Sequence, residues 1–184
     1  FEKLENEILN SDIIAIGPGI GKSQKALKIF EKLISIEKNN KGNMIKLVLD
    51  ADALNLLSEN RELFEKIKNR SVLTPHLVEF SRLSGFSPEE INKNKFEIVK
   101  DFAQKYEITL LLKGKNTIIT DGKTLFVNST GNSRMANGGM GDGLTGIISS
   151  LAGQHYSLLE SAKIGAFLHG YIGDVLLKEQ YIIN

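Results

Sequence analysis

The stretch Asp12-Ile13-Ile14-Ala15-Ile16-Gly17-Pro18-Gly19-Ile20-Gly21-Lys22-Ser23 decides the fold. Ile13 to Ile16 read as a buried strand, and Gly17-Pro18-Gly19 ends it. Ala26, Leu27, Phe30, Leu33 and Ile34 then fall at helical spacing between Ser23 and Ile36. A strand that gives way to a helix is half of a parallel crossover unit, and the same alternation recurs outward from it. Asn39–Asn43 is a polar turn, Lys46–Asp50 a second strand and Asn60–Lys68 a short helix. Ser71–Thr74 is a third strand, stopped by Pro75, which cannot donate to a ladder. His76–Leu83 is expected to be helical and to close at Gly85. A further helix starts at Ser87, where Ser-Pro-Glu-Glu supplies a cap, a first-turn proline and early acids, and should run to about Tyr106.

Thr109–Leu112 is a strand, and Thr117–Thr120 with Thr124–Asn128 brackets Asp121-Gly122 as a hairpin. Two helices, Asp142–Gln154 and Leu158–Glu179, follow. Upstream, Phe1–Leu9 is an amphipathic helix that begins on Phe rather than Met, so the chain is expected to be incomplete at its N-terminus. The expected fold is therefore α/β: residues 1–184 form a single domain with a mainly parallel central sheet flanked by helices and a small antiparallel hairpin. Such sheets bind ligands at the carboxyl ends of their strands. Gly17–Gly21, Asp50–Asp52, Thr74–His76 and Lys113–Gly114 all fall there.

The 184 residues carry a net charge of +1, with 41% apolar and 24% charged residues. That balance gives no electrostatic case for nucleic acid or an anionic membrane. Without cysteine there are no disulfides, thiolate nucleophiles or cysteine-based zinc sites. His76, His155 and His169 are too scattered for a metal motif, and no apolar run approaches the roughly 20 residues that span a bilayer. A cytoplasmic enzyme or binding domain is expected.

Gly17 to Ser23 resembles a P-loop only at first glance. The Walker spacing needs a glycine where Ile16 stands, and the dinucleotide fingerprint needs one at Lys22. What remains is a glycine turn that lets a ligand approach the backbone. Asp50 and Asp52 offer two carboxylates at a strand end. One could hold a hydrated Mg²⁺ or orient a substrate group while the other caps the next helix. His76, with Glu79 three residues on, could bond a ligand or serve structure alone, and His155 and His169 read as structural. Lys113 suits phosphate contact, whereas Lys115 reads locally as a solvated turn charge.

The chemistry is concentrated in Thr130-Gly131-Asn132-Ser133-Arg134-Met135-Ala136-Asn137-Gly138-Gly139-Met140-Gly141-Asp142. Glycines let the backbone close on a ligand, and the helix start offers amides to an anion. A carboxylate there would repel phosphate as a ligand, but it suits a base acting beside one.

In this order, five motifs resemble the ADP/ATP-dependent NAD(P)H-hydrate dehydratase family, a branch of the ribokinase-like fold. They are Ile16-Gly17-Pro18-Gly19-Ile20-Gly21, Val48 to Asn55, Leu73-Thr74-Pro75-His76 with Glu79, Leu111-Leu112-Lys113-Gly114, and Gly131-Asn132 through Met135-Ala136 to Gly138-Gly139-Met140-Gly141-Asp142. Phe167-Leu168-His169-Gly170 extends the likeness into the last helix. The resemblance implies repair of hydrated NADH or NADPH (NADHX, NADPHX): a nucleotide phosphorylates the ring hydroxyl, and phosphate then leaves. It implies ADP, or else ATP, as donor with Mg²⁺, and Asp142 as the catalytic base. Gly19, His76, Asp52 and Asp142 would contact the substrate, with Asp52 the least defined of these. Lys113, Gly114, Lys115, Asn116, Thr117, Asn132, Gly138, Gly139, Met140 and Gly141 would hold the nucleotide.

It further implies a homo-oligomer, a fused or separate epimerase domain, family segments upstream of this chain, and a last family segment beyond its C-terminus. The chain departs from the pattern at Leu77-Val78 and Ser133-Arg134, where Pro-Gly is common, and at Asn137, where Thr is usual. Arg134 adds charge near the nucleotide site and so bears on nucleotide preference. A ribokinase-like small-molecule kinase and a non-catalytic adenine-nucleotide-binding module are the alternatives. The kinase would keep a stable phosphorylated product, and the module would have no use for Asp142.

Overall fold

The computed structural model describes residues 2–179. Six strands form one sheet in sequence order: β1 (Ile13–Ile16), β2 (Lys46–Leu49), β3 (Ser71–Leu73), β4 (Thr109–Leu112), β5 (Ile118–Thr120) and β6 (Leu125–Val127). The first four run parallel, and β4–β5 and β5–β6 pair antiparallel.

The helices are α1 (Glu2–Leu9), α2 (Gln24–Ser35), α3 (Asp52–Glu59), α4 (Leu77–Ser84), α5 (Pro88–Lys93), α6 (Lys95–Tyr106), α7 (Met140–Gly153) and α8 (Leu158–Glu179). They cover both faces. Leu47, Leu49, Leu110 and Leu112 join Phe30, Phe64, Phe80 and Phe102 in one core, against α2 to α6. Their neighbours in the strands, Val48 and Leu111, face Leu144, Ile148, Ala162 and Ala166 of α7 and α8. Burial on both faces is why these strands read as unbroken apolar runs rather than alternating ones.

The expected α/β architecture is therefore present, with three local corrections. The helix expected from Ser87 to Tyr106 is two helices, because Asn94 (φ −127°, ψ 38°) ends α5 and begins α6. Asparagine favours such boundaries because its side chain competes with the helical backbone. The helix expected over Asn60–Lys68 is a 3₁₀ turn at Arg61–Lys66, and the α-helix lies just upstream, in α3. Neither Asp50 nor Asp52 caps α3: its N-cap is Ala51, with no side-chain bond. The helix expected over Phe1–Leu9 is present from Glu2, while Phe1 lies outside the described residues.

Candidate active site

The ends of β1 and β2 meet at a glycine. At Gly17 (φ +141°) an added Cβ would lie 1.7 Å from the Asp50 carbonyl oxygen, so no other residue lets the two strand ends come this close. The turn then closes with the Ile20 amide donating to the Gly17 carbonyl at 3.2 Å. Gly19 follows at φ +73° with open space over its Cα, and the Gly21 amide donates to Asp52 Oδ2 at 3.0 Å. Asp52 thus props the glycine turn, at the first position of α3.

Ala51, between the two aspartates, has φ 50° and ψ −120°. This bend turns Asp50 inward while Asp52 faces Gly21. Asp50 is 2% exposed. Its Oδ1 accepts from Lys113 Nζ at 2.7 Å and from the Ala51 amide at 2.9 Å, and its Oδ2 accepts from Thr145 Oγ1 at 3.1 Å. Three chain regions, ending β2, ending β4 and opening α7, are therefore tied at one carboxylate. An ion pair with satisfied oxygens is the condition under which a carboxylate tolerates burial.

Lys113 extends the line. Its Nζ also lies 4.0 Å from Glu79 Oε2, and its backbone amide donates to the Pro75 carbonyl at 2.8 Å. Nζ would be 3.5 Å from a Cβ placed on Gly141, which puts the ammonium directly under the start of α7. His76 stands at the same edge as the N-cap of α4. Its Nδ1 accepts from the Val78 and Glu79 amides at 3.1 and 3.3 Å, and Glu79 Oε2 accepts from the His76 amide at 2.8 Å. With Nδ1 accepting, the ring proton belongs on Nε2, which lies 3.5 Å from Glu79 Oε2 while the imidazole itself is 52% exposed.

α7 starts at a left-handed glycine, Gly139 (φ 86°), with no side-chain cap. The Met140 and Gly143 amides find backbone acceptors in Asn137 and Gly139. The Gly141 and Asp142 amides find none among the described residues, as is usual in the first turn of a helix, where such amides can serve an anion. Asp142 is exposed in that first turn, and no hydrogen bond or ion pair among the described residues engages its carboxylate. An unengaged carboxylate beside unpaired amides and a half-buried lysine is suited to phosphoryl chemistry.

The remaining predicted residues divide. Gly114 (φ +155°), Lys115 and Asn116 (φ 57°) form an exposed turn closed by Thr117 Oγ1 donating to the Gly114 carbonyl at 3.0 Å. Gly138 is exposed beside Gly139. The side chain of Asn132 turns away into α8, donating to Asp174 and to the Gly173 carbonyl. Sequence reasoning passed over the roles of Asp50, Thr145 and Asp174. His169, read as structural, has its imidazole hydrogen-bonded to the Met140 backbone at the glycine loop, and burial holds its pKa below the ordinary histidine value. Among the described residues no group of three or more His, Asp or Glu stands together as a metal ligand set, and no helix is long and apolar enough to cross a membrane.

A family profile described as NAD(P)H-hydrate dehydratase matches residues 2–184. A bifunctional NAD(P)H-hydrate repair enzyme Nnr of Vibrio cholerae is 37% identical over 174 residues, 95% of this chain and 33% of that protein. The chain thus spans about a third of the length of that curated relative. Among solved structures, a ribokinase-like superfamily protein from Enterococcus faecalis is similar with TM-score 0.86 and 30% identity, over 100% of this chain and 62% of that one. The ADP/ATP-dependent NAD(P)H-hydrate dehydratase of Bacillus subtilis, co-crystallised with ATP/Mg²⁺, is similar with TM-score 0.74 and 25% identity, over 95% of this chain and 63% of that one. The fold is ribokinase-like.

Proposed function

The chain belongs to the NAD(P)H-hydrate dehydratase family, and from that premise we propose that it restores NADH and NADPH from their hydrated forms, NADHX and NADPHX. The observation that carries this is the unengaged Asp142 carboxylate in the first turn of α7, beside the unpaired amides of Gly141 and Asp142.

Asp142 takes the proton of the ring hydroxyl as its oxygen attacks the terminal phosphorus of the nucleotide. With ADP, the expected donor, AMP leaves; with ATP, ADP leaves. Amides at Gly139–Gly141 and the Lys113 ammonium stabilise charge on the group in transfer. Hydroxide is a poor leaving group and phosphate a good one. The C–O bond therefore breaks with its electron pair on phosphate, and loss of a ring proton regenerates the dihydronicotinamide. Gly19, His76 and Asp52 line the substrate side. Lys113–Thr117 and Asn132–Gly141 line the nucleotide side. Asp142 and Asp52 stand at this edge as carboxylates that, with the nucleotide's phosphates, would hold Mg²⁺, which would supply charge neutralisation. This single-domain unit would act in the cytoplasm, assembled with copies of itself and working with a fused or separate epimerase for the same damaged cofactor.

The test uses the full-length protein with hydrated NADH, Mg²⁺ and either ADP or ATP. Dihydronicotinamide absorbance should return with release of inorganic phosphate. Asp142→Asn should slow this by about 10²- to 10⁴-fold while nucleotide still binds. A folded protein that restores nothing with either nucleotide would overturn the proposal. A phosphorylated product that persists would point to a kinase instead.

A further inference from the structure

We propose that Asp174 is a positioning residue for nucleotide binding: from α8 it holds Gly131 and Asn132, and through them the glycine loop, in the shape that receives the nucleotide. The inference rests on the nucleotide reading of that loop.

Both carboxylate oxygens of Asp174 are committed to the loop. Oδ2 accepts from the Gly131 amide at 2.8 Å, and Oδ1 accepts from Asn132 Nδ2 at 3.0 Å. Asn132 Nδ2 also donates to the Gly173 carbonyl at 3.1 Å, and Asn132 Oδ1 accepts from the Arg134 amide at 3.1 Å, capping the 3₁₀ turn Ser133–Met135. The grip thus runs from Asp174 through Asn132 into the turn that leads toward Gly138–Asp142. These bonds hold the Asp174 pKa below its ordinary value, Asn132 first and the Gly131 amide next.

The rest of α8 is shaped to the same segment. Thr130 Oγ1 donates to the Phe167 carbonyl at 3.0 Å and Asn128 Nδ2 to the Ala166 carbonyl at 3.2 Å. A Cβ on Gly170 would lie 2.4 Å from Thr130 Oγ1, and one on Gly173 would lie 2.2 Å from Met135 Sδ. At Gly170 the clash extends to the Thr130 backbone, with its carbonyl carbon at 2.7 Å, so glycine is needed there for the loop to lie on the helix, whereas at Gly173 the contact is with the flexible Met135 side chain. The carboxylate of Asp174 brings a charge to this contact, and charge-assisted bonds to an amide are the strong ones. A loop fixed before the nucleotide arrives loses less freedom when it binds. Asn132 consequently serves the nucleotide by setting the loop, since its side-chain donors and acceptor are used within the protein.

The test measures binding of ADP and ATP, each with Mg²⁺, to the full-length protein by calorimetry. Asp174→Asn keeps the shape of the side chain but replaces one acceptor oxygen with a donor, and should weaken binding about tenfold. Asn132→Ala should weaken it comparably, and the double variant should be little worse than either single one, as expected of two residues acting as a unit. Exchange of the Gly131 amide with solvent should quicken in Asp174→Asn while the melting temperature holds. Unchanged affinity in both single variants, with only a lowered melting temperature, would reduce Asp174 to a structural role and overturn the inference alone. A wild-type protein that binds neither nucleotide would overturn the nucleotide reading of the loop and this inference together. Neither readout needs turnover of hydrated NADH.

Discussion

Both ends of the strands bury a charge, and they do so in opposite ways. At the amino end, Arg70 is 3% exposed and spends its guanidinium on backbone carbonyls. Nε and Nη2 donate to Lys66, Nη1 to Ile36 and Ile45, and Nη2 also to Ile34. Burial pulls its pKa down, opposed in part by Glu37, but an arginine stays charged. At the carboxyl end Asp50 and Glu79 are buried, and Asp50's partner Lys113 keeps 22% of its side-chain surface exposed. Lysine has three donors, so one can serve Asp50 while others reach outward. The closed end gives stability. The other end leaves polar capacity turned outward beside the start of α7, which is what a site requires.

Arg70→Met should have the largest effect on the fold and the least on the chemistry. Four carbonyls would lose their donor at about 1 kcal/mol each, so unfolding free energy should fall by about 4 kcal/mol. Urea denaturation would show it, and nucleotide affinity of the folded fraction should not move. If affinity moved as well, the two ends would not be separable.

Lys113→Met should strike both properties. It leaves Asp50 buried without its cation, costing about 3 kcal/mol, the low end for such a pair because Lys113 keeps some solvent. Nucleotide binding should also weaken by more than the loss of folded protein explains, as calorimetry at a temperature well below the melt would reveal. A purely stability-driven loss would break the contrast between the ends.

His169→Gln gives the smallest and most selective effect. Burial holds the folded imidazole's pKa below its usual value, the Met140 bond partly opposing. The unfolded chain therefore takes up this proton first, near pH 6.5, and stability falls as pH drops through and below that point. The glutamine variant should flatten that part of the curve, read from urea midpoints at about pH 7.5 and 5.5. Arg70 does not titrate in this range, so only the site end should respond.

What the sequence disclosed follows from how local each feature is. Strands β2 and β4 were legible because burial on both faces leaves unbroken apolar runs, whereas β1, expected to be buried, is an edge strand with Ala15 exposed. Gly138 to Asp142 was legible because its glycines and acid adjoin a helical run. Lys113 was legible as a polar residue ending such a strand. Asp50 to Thr145 spans 95 positions and Asp174 to Gly131 spans 43, and no periodicity announces pairs so distant. Arg70 gave no signal either, because its acceptors are carbonyls, which every residue possesses. The break at Asn94 was misread since the residues on both sides form helix.

Ala51 has a consequence for the protein's evolvability. Its φ of 50° and ψ of −120° match the first central position of a type II′ turn, a place where glycine is usual and a Cβ is strained. Such backbone costs of order 1–3 kcal/mol and persists where neighbours over-determine it. Selection for thermal endurance alone would favour glycine there, removing the strain. The same exchange would free the joint that sends two aspartates to opposite duties, so tolerance to heat and fidelity of the site pull this position in different directions.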